Sequence, residues 1–115
     1  MRRQSFFYRD NGILRRIILE EILFLESAGN YVKFYALNYS HMVRTSLDAA
    51  LAQLPENQFV QIHRSFAVSL DHLETIGRDF VSLISLPGYE FPVSKKYYPT
   101  LIERIRIIEG MARIR

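Results

Sequence analysis

The sequence predicts a mostly-β domain, and three observations lead to this fold class. Short runs rich in aromatic and β-branched residues alternate with turn signals along most of the chain. The dipeptides Asn11-Gly12 and Pro87-Gly88 stand between such runs, as is typical of hairpins. Apolar residues at helical spacing occur in two stretches only, residues 46–55 and 98–108.

The first half of the chain predicts five strands and a short helix. The predicted strands cover residues 6–9, 13–18, 22–26, 31–37 and 41–45, with a turn over residues 27–30. Ser46 is a suitable helix N-cap, and Leu47, Leu51 and Leu54 then follow at helical spacing until Pro55 ends the helix.

The second half predicts further strands and a final helix. The predicted strands cover residues 59–63, 66–68, 73–76, 80–86 and 90–93, with Phe59 and Ile62 as core candidates. The final stretch predicts an amphipathic helix, since its apolar residues follow the spacing i, i+3, i+4, i+7 and i+10: Tyr98, Leu101, Ile102, Ile105 and Ile108.

Length and composition indicate one folded domain over residues 1–115, with a core about 14–108. The chain is 49% hydrophobic and 23% charged, which is ordinary for a globular protein. Neither a membrane-spanning run nor a signal peptide is visible, so we expect no membrane insertion. Cysteine is absent, which excludes disulfides and agrees with a cytoplasmic location.

The sequence gives no support for an enzyme. The chain has three histidines and five glycines, and they form no metal-ligand, nucleophile-elbow, P-loop or dinucleotide-binding motif. The acidic residues form no pair that can be placed across a pocket. We therefore expect no catalytic residues, no metal and no cofactor.

Polar and basic residues instead follow the ends of apolar strands. Asn30 and Tyr31 lie at a turn, His63 and Arg64 separate two strands, and Lys95-Lys96 open the last helix. Arginine can read guanine or clamp phosphate, asparagine can read adenine, and a helix start beside lysines favours phosphate. The net charge of +3 suits a polyanion only if it is focused on one face.

Each of these residues also has a purely structural interpretation. His63 could be a core or cap histidine bonded to backbone, and Arg64 could pair with a carboxylate such as Glu26. Lys95-Lys96 could form an ordinary solvated first turn, and Asn30 could be present for its turn conformation alone.

Five runs in a fixed order nevertheless point to one family. They are residues 21–27 (EILFLES), 29–33 (GNYVK), 44–47 (RTSL), 59–68 (FVQIHRSFAV) and 92–97 (PVSKKY). Together they resemble the LytTR family of bacterial DNA-binding domains. Two departures stand out: Gln61 replaces a frequent basic residue, and Lys95 replaces a frequent arginine, which keeps the charge but loses the bidentate fork.

The resemblance implies about ten short strands in small antiparallel sheets with one or two short helices. It also implies DNA recognition by loops that enter successive major grooves. By resemblance, Asn30 and Tyr31 belong to the first loop, His63 and Arg64 to the second, and Lys95 and Lys96 to the third. Arg64 is the expected base reader, while His63 orients its loop.

The predicted function is therefore sequence-specific binding of double-stranded DNA in transcription regulation. A single domain would bind weakly, so we expect two copies, as a homodimer on DNA, on direct-repeat half-sites roughly 10 bp apart. Family members commonly carry an N-terminal receiver domain of a two-component system. The 115 residues leave no room for one, so the chain is expected to be a stand-alone regulator or an excised C-terminal domain.

The alternative is a protein-interaction module that docks a sensor or a partner regulator. Its partner surface would be the apolar stretch 101–108, unless that stretch forms a helix packed on its own sheet.

Overall fold

The computed structural model describes residues 5–110, and in them the protein is built from ten short strands and two short helices. The strands are β1 (Ser5–Asp10), β2 (Ile13–Ile18), β3 (Phe24–Ala28), β4 (Tyr31–Tyr35), β5 (Ser40–Val43), β6 (Phe59–His63), β7 (Phe66–Ser69), β8 (Leu73–Ile76), β9 (Phe80–Leu83) and β10 (Phe91–Pro92). The helices are α1 (Leu47–Gln53) and α2 (Tyr98–Glu103), and 3₁₀ turns cover Leu19–Glu21 and Leu70–His72. The predicted mostly-β fold is confirmed.

A five-stranded antiparallel sheet in the order β5-β4-β3-β7-β6 is the centre of the molecule. The hairpin β1–β2 forms a separate two-stranded sheet, and β10-β9-β8 form a third. Successive side chains of a strand point to opposite faces, so the central sheet has a core on each side. Phe59 belongs to the first core and its neighbour Val60 to the second.

The first core lies between the central sheet, the hairpin and α1. Its buried residues include Ile17 of β2, Leu25 of β3, Val32 of β4 and Leu47 of α1. Helix α1 begins as predicted, because the Ser46 hydroxyl accepts a hydrogen bond from the Ala49 N–H at 3.1 Å.

The second core lies between the other face of the central sheet, the small sheet β8–β10 and α2. Ile62 of β6, Val81 and Leu83 of β9, and Leu101 of α2 are all completely buried there. This core fixes the position of the segment between β10 and α2 against the end of β6.

Two tight turns follow from backbone chemistry. Asn11 and Gly12 both have positive φ (52° and 81°), as a type I′ hairpin turn requires. In the turn between β3 and β4, only Gly29 has positive φ, at 63°. The predicted turn over residues 27–30 is therefore shorter, because β3 continues to Ala28, which pairs with Tyr31. Strand β3 also starts later than predicted, after the 3₁₀ turn at Leu19–Glu21.

The connection around Pro87-Gly88 is longer than a tight hairpin. Strand β9 ends at Leu83, and two turns follow, in which the N–H groups of Leu86 and Tyr89 bond to the carbonyls of Leu83 and Leu86 at 3.2 Å. The flanking strands still pair, with Phe91 opposite Val81.

The prediction of a final helix up to Ile108 was wrong. Helix α2 ends at Glu103, and only Leu101 of its apolar residues is completely buried. Ile107 is 54% exposed and Ile108 is 99% exposed. The apolar residues at helical spacing therefore continue past the point where the second core can bury them. None of the helices within residues 5–110 is long and apolar enough to cross a membrane.

Candidate nucleic-acid interface

Two of the three predicted loops lie at the same end of the central sheet because of its strand order. Strand β3 is antiparallel to both β4 and β7, with Ala28 opposite Tyr31 and Glu26 opposite Phe66. The end of β3 therefore lies beside the starts of both neighbours. As a result the turn Gly29-Asn30 and the turn Arg64-Ser65 lie at the same end of the central sheet.

Backbone hydrogen bonds fasten all three segments together. The Ser27 N–H donates to the Ser65 carbonyl at 2.9 Å, which joins the first loop to the second. The Ser94 N–H donates to the Ile62 carbonyl, also at 2.9 Å, which places the third segment beside the end of β6. The three predicted segments therefore lie beside one another. We call the surface that they form, which carries Asn30, Tyr31, His63, Arg64, Lys95 and Lys96, the loop face.

Asn30 and Tyr31 are both exposed on the first loop, Tyr31 by 37%. The positive φ that a turn of this kind needs is supplied by Gly29, and Asn30 has none. Within the described residues the Asn30 side chain forms no hydrogen bond, so it is available to a ligand. A glycine followed by asparagine also suits a two-residue hairpin turn, so the structural interpretation of Asn30 stands beside the functional one.

His63 holds the second loop in shape. Its ring Nδ1 accepts a hydrogen bond from the Ser65 N–H at 3.1 Å, and its ring lies against Phe66 with centroids 5.7 Å apart. The Gln61 side-chain amide also donates to the His63 carbonyl at 3.1 Å. His63 is thus bonded to backbone, as its structural interpretation predicted, and this bond orders the turn.

Arg64 is exposed at the tip of this two-residue turn. The alternative pairing with Glu26 does not occur, since Glu26 instead accepts a hydrogen bond from the Tyr35 hydroxyl at 3.1 Å. Burial, followed by that hydrogen bond, raises the pKa of Tyr35, so the phenol remains a donor to Glu26. Within residues 5–110 the Arg64 guanidinium has no hydrogen-bond, ion-pair or ring partner.

Lys95 and Lys96 lie in a turn before α2 and are not its first residues, which corrects the prediction that they open the helix. The turn is closed by the Ser94 carbonyl, which accepts from the N–H groups of Tyr97 and Tyr98 at 3.0 and 3.1 Å. Both lysines are exposed, and the Lys96 ammonium lies 5.3 Å from the Tyr97 ring centroid. Helix α2 has six residues, so its dipole adds little to the lysine charges.

Arg44 was not among the predicted site residues, although it begins the RTSL run. It follows directly after β5, and the pairing of Val43 with Val32 brings it beside Tyr31. Its guanidinium carbon lies 5.9 Å from the Tyr31 ring centroid. The available signal was the antiparallel pairing of residues 31–37 with 41–45, which brings the start of one strand to the end of the other.

The loop face is cationic and free of internal charge pairing. In the part of the chain that the structure describes, none of Arg44, Arg64, Lys95 and Lys96 forms an ion pair. The ion pair between Arg15 and Asp10 (2.8 Å) lies at the hairpin instead. Four exposed cations without counter-charges suit a polyanionic ligand. Residues 5–110 contain no group of three or more His, Asp or Glu side chains placed to hold a metal ion.

Comparison with known families identifies the family to which the chain belongs. The sequence model of the LytTr DNA-binding domain matches residues 13–106. The chain belongs to the LytTr DNA-binding domain family. The resemblance drawn from the five sequence runs is thereby confirmed.

Two relatives extend the comparison beyond this domain. An uncharacterized response regulatory protein of Vibrio cholerae is 33% identical over 85 residues, which cover 69% of this chain and 33% of that protein. The sensory transduction protein LytT of Bacillus subtilis is 28% identical over 91 residues, which cover 76% of this chain and 38% of LytT. This LytTr chain therefore spans little more than a third of the length of these relatives.

A solved structure supports the fold independently. The LytTr DNA-binding domain of a Bacillus cereus protein described as a methyl-accepting/DNA response regulator superposes with a TM-score of 0.72 at 21% sequence identity. The match covers 87% of this chain and 94% of the other. At this identity the likeness establishes the shared fold.

Proposed function

We propose that this LytTr domain binds double-stranded DNA sequence-specifically through its loop face and thereby regulates transcription. The observation that carries the proposal is that Asn30, Arg64, Lys95 and Lys96 lie on neighbouring segments at one end of the central sheet. All four are exposed, and among the described residues the three cations form no ion pair.

The geometry of the second loop suits readout of base edges. A two-residue turn is narrow enough to enter the major groove, which is about 12 Å wide. Arg64 stands at its tip, and the bond between His63 and Ser65 orders the turn before DNA arrives. We assign base readout to Arg64, with a bidentate contact to guanine as the expected mode.

The flanking loops would supply register and affinity. Asn30 can hydrogen-bond to adenine or to a phosphate, and Lys95 and Lys96 can neutralise phosphates. Since the three loops lie beside one another at one end of the central sheet, we propose that they enter successive major grooves from one side of the duplex. Two copies on direct-repeat half-sites roughly one helical turn apart would then strengthen binding.

We further propose that residues 1–115 act as the output unit of a bacterial response regulator. The support is the printed name of the Vibrio cholerae relative, a response regulatory protein about three times the matched length. The partner that controls this domain would then be a receiver domain or a sensor protein.

Selection from a random duplex library tests the proposal. The purified chain is expected to enrich a short motif that recurs about 10 bp apart, with binding that weakens steeply as salt rises. Folded protein that enriches no motif at low salt would contradict sequence-specific binding. Salt-insensitive capture of a receiver or sensor protein, with no duplex binding, would favour the alternative of a protein-interaction module.

A further inference from the structure

We propose that Arg44 is a DNA-phosphate-binding residue behind the first loop, and that Tyr31 positions it and does not read a base. The inference rests on the proposed DNA binding, but it assigns a fourth contact that none of the three predicted loops contains. It also gives Tyr31 a different role from the one that the family resemblance suggested.

Arg44 is preorganised for binding a ligand. An exposed arginine normally loses rotamer freedom when it binds a ligand, which weakens its contribution. Here the guanidinium carbon already lies 5.9 Å from the Tyr31 ring centroid, within the range of a cation–π contact. Arg44 is exposed, and within the described residues its guanidinium has no hydrogen-bond partner, so its N–H groups remain available to a ligand.

The groups around Arg44 are hydrogen-bond donors that suit an anion. A shallow depression beside it is lined by Gly29, Asn30, Arg44, Thr45 and Ser46. These residues offer a guanidinium, two hydroxyls, a side-chain amide and backbone N–H groups, and no carboxylate is among them. The Ser46 hydroxyl already accepts from Ala49, but it retains its own proton for donation. The lining therefore suits an anion with several oxygen acceptors.

The position of Arg44 favours contact with a phosphate over contact with a base. Arg44 and Thr45 follow β5 and lie behind the tip of the first loop, which is formed by Gly29-Asn30. When a loop tip enters a groove, the residues at its base face the groove rim, where phosphates lie, and the tip faces the base edges. Arg44 is thus placed for a phosphodiester oxygen, while Asn30 is placed for the groove.

The test measures duplex binding of the 115-residue chain with Arg44→Ala against salt, on the selected site and on an unrelated duplex. Arg44→Ala is expected to weaken binding to both duplexes by about tenfold or more. It should also reduce the magnitude of the slope of log K against log salt by about 1. Arg15→Ala is the control: it removes the same charge at the hairpin, where Arg15 pairs with Asp10, and should leave both quantities unchanged.

A second series isolates the role of Tyr31. Tyr31→Phe keeps the ring and should bind like the wild type, whereas Tyr31→Leu should weaken binding. Combined with Arg44→Ala, Tyr31→Leu should cost nothing further, because both changes remove the same contact. Circular dichroism and thermal melting establish that each variant is folded.

The outcomes separate this inference from the proposed function. If the wild type fails to bind duplex DNA, the proposed function itself is contradicted. If the wild type binds and Arg44→Ala keeps its salt slope, only the phosphate contact is overturned. Loss of preference at one base position in Arg44→Ala would make Arg44 a base reader, and strictly additive effects of Tyr31→Leu and Arg44→Ala would overturn the positioning role.

Discussion

His63 and Arg64 are adjacent residues of one turn, yet their surroundings assign them different work. His63 is half-buried and accepts a backbone hydrogen bond from Ser65, so its side chain is committed to the turn itself. Arg64 is exposed and, within the described residues, has no partner. A change at Arg64 should therefore alter DNA recognition and leave stability unaffected.

We expect Arg64→Ala to cost about 1–3 kcal/mol of binding free energy on the selected site and to relax specificity at one base position. The reason is the loss of a bidentate contact that only one base can accept. Binding of wild type and variant to all single-base changes of the site measures both effects.

Arg64→Lys is the matched control for this prediction, since it keeps the charge and removes the fork. It should retain most of the non-specific affinity and lose the base preference. An equal loss of affinity on every sequence in Arg64→Ala would show that Arg64 contacts phosphate.

His41 gives the fold a predictable sensitivity to acid. Burial, and to a lesser degree the charge of Arg15, lowers the pKa of His41 from its ordinary value of 6.5. Its ring also bonds to the Tyr8 hydroxyl at 3.0 Å, which joins the hairpin to β5. Because the unfolded chain binds the proton first as pH falls, His41 destabilises the fold below about pH 6.5.

We therefore expect His41→Gln to lose less stability than the wild type between pH 7 and 5 (roughly the range of histidine titration). Above that range the histidine is neutral in both folded and unfolded states, so its titration contributes no pH dependence there. Urea unfolding at several pH values measures the difference. His72→Gln serves as the control and should keep the wild-type acid loss, because it leaves His41 in place. Parallel acid loss in His41→Gln and the wild type would contradict this account.

At the scale of elements, tight turns were predictable because their requirements are local. Asn11 and Gly12 have the left-handed φ values that their sequence predicts, and Ser46 caps α1 as expected. The last helix was not predictable from spacing alone. Apolar residues stabilise a helix only where another surface covers them, and beyond Glu103 no such surface is present for Ile107 and Ile108 in the described structure.

This contrast gives a matched pair of substitutions. Leu101→Ala should cost about 2–5 kcal/mol, because Leu101 is completely buried in the second core. Ile108→Ala should change stability by about 0.5 kcal/mol or less, because Ile108 is 99% exposed. Thermal or urea unfolding of both variants measures the difference. A large loss of stability in Ile108→Ala would instead support the predicted amphipathic helix up to Ile108.

At the scale of the whole molecule, the sequence predicted three loop segments but could not show that they lie beside one another. Their convergence depends on the order β5-β4-β3-β7-β6 and on long-range bonds such as Ser94 N–H to the Ile62 carbonyl. Residue patterns report which segments are strands, and they do not specify which strands are neighbours. For the same reason Arg44 became visible only through its pairing beside Tyr31.

Whether the net charge of +3 favours DNA binding likewise depends on where the charged residues lie. Arg44, Arg64, Lys95 and Lys96 lie on the loop face, while the opposite end of the central sheet carries exposed apolar residues such as Leu37 (58%). Tyr89, in the connection before β10, is 66% exposed. DNA is expected to approach the cationic end and to leave these apolar residues untouched.

The most direct test of this account is to map the DNA-bound surface by backbone amide chemical shifts, titrating the labelled protein with the selected duplex. We predict that the largest changes fall on residues 29–31, 44–45, 63–65 and 94–96, and that Asn11, Gly12, Leu37 and Tyr89 change little. Changes centred on Leu37 and Tyr89, with the loop face unaffected, would contradict the account.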